Sequence, residues 1–379
     1  MAVYTTIDNP EAYFQTKLYT GNGTDDTTIS GVGFQSDLTW IKGRSNTAWH
    51  QVTDSVRGVG NVISTNSTGA ESNFSSLKSW NSDGFVLSDN ANFNGNGVTF
   101  ASWNWKAGTS FTNDASGTGI GSVDSTGSVN TDAGFSIISY TGNGTSGATV
   151  AHGLGSVPDM YITKNRDYAY GWGVYHKSLG ANYGLFLNDT AVSTAGTGWR
   201  NDTAPTSSVF TLGGGSQPYR YSANKSGDDY IAYFFKEKQG YSKFGSYTGN
   251  GSTDGTFVYT GFKPAFVMIK RTDAASEWSL FDNKRSSSSG SNLVDLVLTP
   301  NESSAEVAGG SSSARQIDLL SNGWKFKTTS GGINASGGTY IYMAFAENPF
   351  VTSSGIPTTG RWYEIYFSLY NLLSNNRIL

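Results

Sequence analysis

Apolar residues in this chain come in short runs bounded by Gly, Asn, Asp and Ser, a pattern of short strands and tight turns. Leu38-Thr39-Trp40-Ile41-Lys42 alternates and predicts a strand; Trp49-His50-Gln51-Val52, Phe85-Val86-Leu87 and residues 98–105 predict others in the same region. Two stretches read differently. Asn9-Pro10-Glu11-Ala12 suits one turn of helix, with Asn9 as cap and Pro10 at the first helical position; a strand plus turn fits the same residues equally well. Near the C-terminus, Trp362, Ile365, Tyr366, Leu369, Leu372 and Leu373 share one face at helical spacing. That face predicts an assembly interface, with packing on the preceding domain as the alternative.

The runs recur in register. Tyr-Thr-Gly-Asn-Gly stands at residues 19–23, 140–144 and 247–251. Lys42, Lys164 and Lys270 follow, then Trp49, Trp172 and Trp278. The tyrosines are spaced by 121 and 107 residues, the lysines by 122 and 106, the tryptophans by 123 and 106. Each unit closes on an aromatic run: Gly97 to Lys106, Gly227 to Lys236, and Gly338 to Ala346. Such self-similarity decides the architecture.

The expectation is an all-β protein of three tandem β-sandwich, jelly-roll-like domains arising from an internal triplication. An N-terminal arm covers 1–17 and the first repeat 18–106. A Gly/Ser/Thr-rich linker covers 107–133, the second repeat 134–240, the third 241–350, and an aromatic tail 351–379. The linker composition predicts a tether that lets units one and two hinge. The joint at 238–243 is too short for that, so units two and three should hold a fixed relation.

Composition narrows the function. Charged residues are 14%, against about 25% in an average protein. The net charge is −4 with no basic stripe, which argues against nucleic acid as a partner. Cysteine is absent, which excludes disulfides and thiolate metal sites and fits assembly in a reducing cytoplasm. No apolar run approaches the ~20 residues of a membrane helix.

Candidate chemistry is sparse. His50, His152 and His176 form no metal-ligand pair at helical spacing. Unit three has Asp282 where unit two has His176, and unit one has Asp54 nearby; a position that changes type between copies predicts a surface. The pairs Asp25-Asp26 and Asp228-Asp229 would point to opposite faces of a strand. Loops at residues 22–26 and 81–83 offer oxygen atoms for calcium but lack a spaced ligand array. No catalytic residue, metal ligand or cofactor is therefore predicted. Lys42, Arg44, Lys164, Arg166, Lys270 and Arg271, with a tryptophan following each set, suggest a surface-binding face with cation–π stacking. The competing reading puts each lysine at a strand end and each tryptophan in the core.

Taken together, certain motifs resemble a family of virion structural proteins, often described as tail-fibre-like, of tailed phages of marine bacteria, cyanophages included. They are the repeated Tyr-Thr-Gly-Asn-Gly, the Gly-Phe-x-Pro-x-x-Val-x-Ile-Lys pattern, Asp54-Ser55-Val56-Arg57-Gly58, Ser82-Asp83-Gly84-Phe85 and the run from Tyr340 to Phe350. The resemblance spans residues 1–357 and implies a β-rich particle protein without catalysis. Expected is a tail fibre, head fibre or decoration protein, assembled in the host cytoplasm and located on the virion. It would serve host-surface attachment or particle stability. Its expected partners are other virion proteins, further copies of itself (a trimer, by analogy with fibres) and a host-surface glycan or receptor. The alternatives are a free carbohydrate-binding module and, behind it, a glycan depolymerase.

Overall fold

The structure, a computed structural model, describes residues 5–196, 198–214, 220–286, 292–308 and 314–358. The aromatic tail lies outside them, so Trp362, Ile365, Tyr366, Leu369, Leu372 and Leu373 have no structural account.

Each unit builds its main antiparallel sheet in one order. An opening strand (Phe14–Thr20, Phe135–Thr141 or Ser242–Thr248) pairs with a closing strand (Thr99–Trp105, Asp229–Phe235 or Thr339–Pro349). The closing strand pairs on its other edge with an inner strand (Leu38–Gly43, Met160–Asn165 or Phe262–Arg271). An outer strand follows (Gln51–Asp54, Gly173–His176 or Ser279–Asp282). A smaller sheet covers one face: Thr27–Ser30 with Gly84–Leu87 and Leu77–Asn81 in unit one, Thr149–Ala151 with Val209–Thr211 in unit two. In unit three it is Phe257–Tyr259 with Gly323–Phe326, Ile317–Leu320 and Leu293–Val294. The protein is all-β and each unit is a sandwich.

The other face of each main sheet is covered by the other two units. Successive strand residues point to opposite faces, and the closing strands divide accordingly. Ile231, Tyr233 and Phe235 enter a core shared by all units, whereas Tyr230, Ala232 and Phe234 enter the core of unit two alone. Ile341, Met343 and Phe345 alternate with Tyr340, Tyr342 and Ala344 in the same way. A strand buried on both faces needs a near-continuous apolar run, as these closing segments have. The equivalent residues Trp105, Phe235 and Phe345 meet at the centre, with ring centroids 5.7 to 6.4 Å apart. The units are thus not tandem bodies with separate cores; they are three sandwiches around a common one.

Two boundaries move. The expected tether is folded: Thr109–Asn113 and Ser125–Asn130 extend the sheet of unit two beyond its opening strand. Its Ser, Thr and Gly composition suits an edge strand as well as a coil, and Asp114 caps a short helical turn at Ala115–Thr118. The N-terminal arm also docks. Thr5 Oγ1 donates to Gln239 O at 2.8 Å and Ile7 joins the shared core. Pro10–Ala12 form a single 3-10 turn, without the expected side-chain cap from Asn9, and the opening strand already begins at Phe14.

The Tyr-Thr-Gly-Asn-Gly motif ends each opening strand, but no hairpin turn follows it. Tyr19, Tyr140 and Tyr247 donate their hydroxyls to Phe93 O, Ala223 O and Ile333 O at 2.7 to 2.8 Å. The next residues, Asn94, Asn224 and Asn334, are fully buried and their amides clamp the loop. Asn94 Oδ1 accepts from Asn22 N, and its Nδ2 donates to Thr24 O and Ser88 O. Asn224 and Asn334 repeat this on Asn143 and Asn250. The first glycine is required by space: a Cβ on Gly21, Gly142 or Gly249 would lie 2.3 to 2.5 Å from a main-chain oxygen. The second is required by conformation, with φ of +67° to +73° at Gly23, Gly144 and Gly251. Gly249→Ala should therefore cost about 1–3 kcal/mol through backbone displacement. Gly196→Ala, where the Cβ meets open space, should be near neutral. Urea titration of both variants checks the contrast; equal losses would refute it.

Candidate functional site

The repeated basic residues lie at the seams between units and form no open face. Lys42, Lys164 and Lys270 end the inner strands and are fully buried. Each Nζ donates to its neighbour's carbonyl, Gly43 O, Asn165 O or Arg271 O, at 2.6 to 2.8 Å. Each also crosses to another unit: Lys42 to Ser303 O at 3.2 Å, Lys164 to Thr68 O at 3.2 Å, and Lys270 to Thr190 O at 3.0 Å. Unit one holds unit three, unit three holds unit two, and unit two holds unit one, so the ties close a ring. Burial pulls Lys164 down to about 7 and Lys42 and Lys270 to about 8; the carbonyls supply the acceptors an ammonium needs. The expected surface-binding role of these lysines is not met, because the strand end that carries each one is covered by a loop of the next unit.

The tryptophans follow the same ring with one exception. Trp172 Nε1 donates to Ser64 O at 3.0 Å and Trp278 Nε1 to Phe186 O at 3.0 Å. The pairing of inner and outer strands puts His50, not Trp49, at the equivalent place in unit one. The spacing of 123 rather than 122 residues marks this one-residue slip, and a slip of one turns the side chain to the other face. His50 is buried and its Nδ1 accepts from Trp40 Nε1 at 3.0 Å, while Trp49 is 50% exposed.

Two of the three seams carry matching chains of charge. Asp54 and Arg57 of unit one, both fully buried at their side chains, pair at 2.5 Å. Arg57 reaches Glu71 at 3.0 Å, and Glu71 accepts from Arg166 of unit two at 2.8 Å. Asp282, Arg285 and Glu306 of unit three run to Arg44 of unit one in the same order, with separations of 2.6, 3.5 and 2.8 Å. Each aspartate also accepts from the adjacent unit's closing strand: Asp54 from Tyr233 Oη at 2.7 Å, Asp282 from Trp103 Nε1 at 2.9 Å.

The third seam has the same positions filled by neutral groups. His176 replaces the aspartate, Leu179 the first arginine, Ser193 the glutamate and Thr272 the second arginine. The closing strand offers Met343, which has no donor to give an aspartate; His176 Nε2 instead meets Tyr342 O at 3.1 Å. The expectation that Asp54, His176 and Asp282 lie on a surface is wrong, since all three are fully buried. Their change of type follows the neighbour each must satisfy. Arg271, two residues before Asp273, pairs with it at 2.9 Å and stays off the seam.

The remaining candidates are also committed to structure. His152 Nε2 faces Thr206 O at 3.1 Å while its Nδ1 accepts from Leu154 N at 3.3 Å. Asp25 and Asp26 pair with Lys78. Asp83 accepts from Gly31 N and Gly33 N at 2.9 and 2.7 Å, and Asp228 is held by Lys225 and Asn165. Among the described residues no three His, Asp or Glu side chains are grouped to hold a metal ion, and no helix is long and apolar enough to cross a membrane.

Sequence reasoning missed the clamp asparagines and the seam carboxylates Glu71 and Glu306. The asparagines did leave a trace, Asn-x-x-Gly at 94–97, 224–227 and 334–337. The glutamates left one as well: Asn66 and Asn301 stand five residues before Glu71 and Glu306, and Ala70 and Ala305 directly before them.

No curated protein and no solved structure matches the chain. A family model described as "Domain of unknown function (DUF7483)" matches residues 9–349, an interval that takes in all three sandwiches and the seams between them. The chain belongs to this DUF7483 family.

Proposed function

We propose that the protein is a structural component of a phage particle, displayed on its surface as a fibre or decoration protein and serving host attachment or stability. One observation carries the reading. The repeated basic residues and the buried acids are spent on locking three sandwiches into one body. Such an investment suits a protein whose work is to hold shape. The resemblance of the motifs to virion proteins supplies the particle. Oligomerisation belongs in this reading to the tail at 360–379, since the three units close their shared core within one chain.

Immunogold labelling of purified particles, using antibody against the recombinant chain, tests the location. Gold on intact particles is expected; chain absent from particles by mass spectrometry would overturn the proposal. Light scattering of the full chain should give an oligomer that falls to monomer when residues 360–379 are removed. A monomer in both cases would remove the tail's assembly role.

A further inference from the structure

We infer that the groove beside Trp49 is a binding site for a neutral glycan. Among the described residues Trp49 is the only tryptophan with half its surface in solvent, and nothing in the repeat requires it there. At the same register unit two has Gly171 and unit three Glu277. A half-exposed aromatic ring in the loop that leads into the outer strand Gln51–Asp54 is free to meet a ligand.

The groove has a volume of about 360 Å³ and is lined by Trp49, Phe74, Gln51, Ser72, Asn92 and Glu71, among others. That size lies in the range of ligand sites. Two aromatic rings share the cavity with amide and hydroxyl groups, the combination that accepts the C–H face of a pyranose together with its hydroxyls. Charge selects among glycans. Glu71 is the one charged residue in the lining, and its carboxylate is taken by Arg57 and Arg166. With no free cation in the lining, a sulfated or uronic-acid chain finds no partner, and a neutral one has no buried charge to strip of water. The floor is firm, because Ser64 and Ser67 hold the Trp172 indole with their carbonyls.

The inference deepens the attachment reading by naming the class of surface molecule, but its test does not depend on a particle. The full chain, labelled with 5-fluorotryptophan, should show one fluorine resonance absent from Trp49→Phe, which assigns it. Titration with cellohexaose, chitohexaose, laminarihexaose and maltohexaose should shift that resonance saturably for at least one sugar. Trp49→Ala should weaken that binding roughly tenfold or more by calorimetry, and Asn92→Ala should weaken it less, both at unchanged melting temperature. No shift with any of the four, a shift only with oligoalginate, or undiminished binding in Trp49→Ala would each overturn the inference. Failure here with gold on the particle would leave the virion reading standing; binding here without gold would leave a free carbohydrate-binding protein.

Discussion

Asp54→Ala should destabilise the protein by about 3 kcal/mol, because it strips buried Arg57 of its nearest carboxylate and leaves it only Glu71, which Arg166 also engages. Both side chains are fully inaccessible, so water cannot replace the carboxylate. The Tyr233 hydroxyl loses its acceptor at the same time. The protein itself supplies the repair. At the seam between units two and three the same five positions are His176, Leu179, Ser193, Thr272 and Met343. Copying them into the first seam gives Asp54→His, Arg57→Leu, Glu71→Ser, Arg166→Thr and Tyr233→Met. Replacing a buried ionic network by matched neutral groups is often close to neutral, so this five-fold variant should be more stable than the single one. Urea unfolding at pH 7.5 decides. A single variant within about 1 kcal/mol of wild type, or a five-fold variant worse than the single, would sink the account of the seams.

Acid should unfold the protein well before most carboxylates are protonated. Burial lowers His152 and His176 to about 4, against about 6.5 in an unfolded chain. His50 is driven down too, by burial first and then by Lys42 and Arg285. In both His152 and His176 the Nδ1 faces a main-chain N–H, so a second ring proton would set donor against donor. A histidine with a depressed folded pKa takes up its proton in the unfolded state first. Its contribution is therefore intact above pH 6.5 and lost as the pH falls from 6.5 towards 4. Each of the two is worth about 3 kcal/mol over that window, and together they remove on the order of 5 kcal/mol by pH 4.5. That is a large part of a usual domain stability of about 5–15 kcal/mol. Denaturant titrations at pH 7.5 and 4.5 measure it, and His152→Asn should flatten the difference by one histidine's share. Equal stability at the two values would rule the mechanism out.

The strands were legible because their apolar runs are short and bounded by turn residues, and the threefold repeat because Tyr, Lys and Trp recur at intervals that agree to within two residues from Tyr19 to Trp278. The shared core was not. A closing run such as Tyr230 to Phe235 declares that both faces are buried, but it does not say by what. The lysines misled for a related reason: an isolated Lys at a strand end looks solvated, and only the carbonyls of a distant loop make burial tolerable. The segment at 107–133 misled by composition, since Ser, Thr and Gly serve an edge strand and a tether alike. Trp49 was placed with Trp172 and Trp278 by an alignment one residue out, and that residue separates a core anchor from a surface ring.

The central place of each closing strand has a kinetic consequence. The opening and inner strands of a unit do not pair with each other; both wait for a strand that follows some 60 to 100 residues later, as with Phe14–Thr20 and Thr99–Trp105. A nascent chain that has emerged as far as residue 98 presents two unpaired edges with a vacant slot between them. Contacts this distant in sequence form slowly, and open edges invite pairing with the wrong strand. Synthesis of each unit thus ends with the insertion that makes it stable, and the ribosome's pace through the aromatic run sets how long the slot stays open to a neighbouring chain.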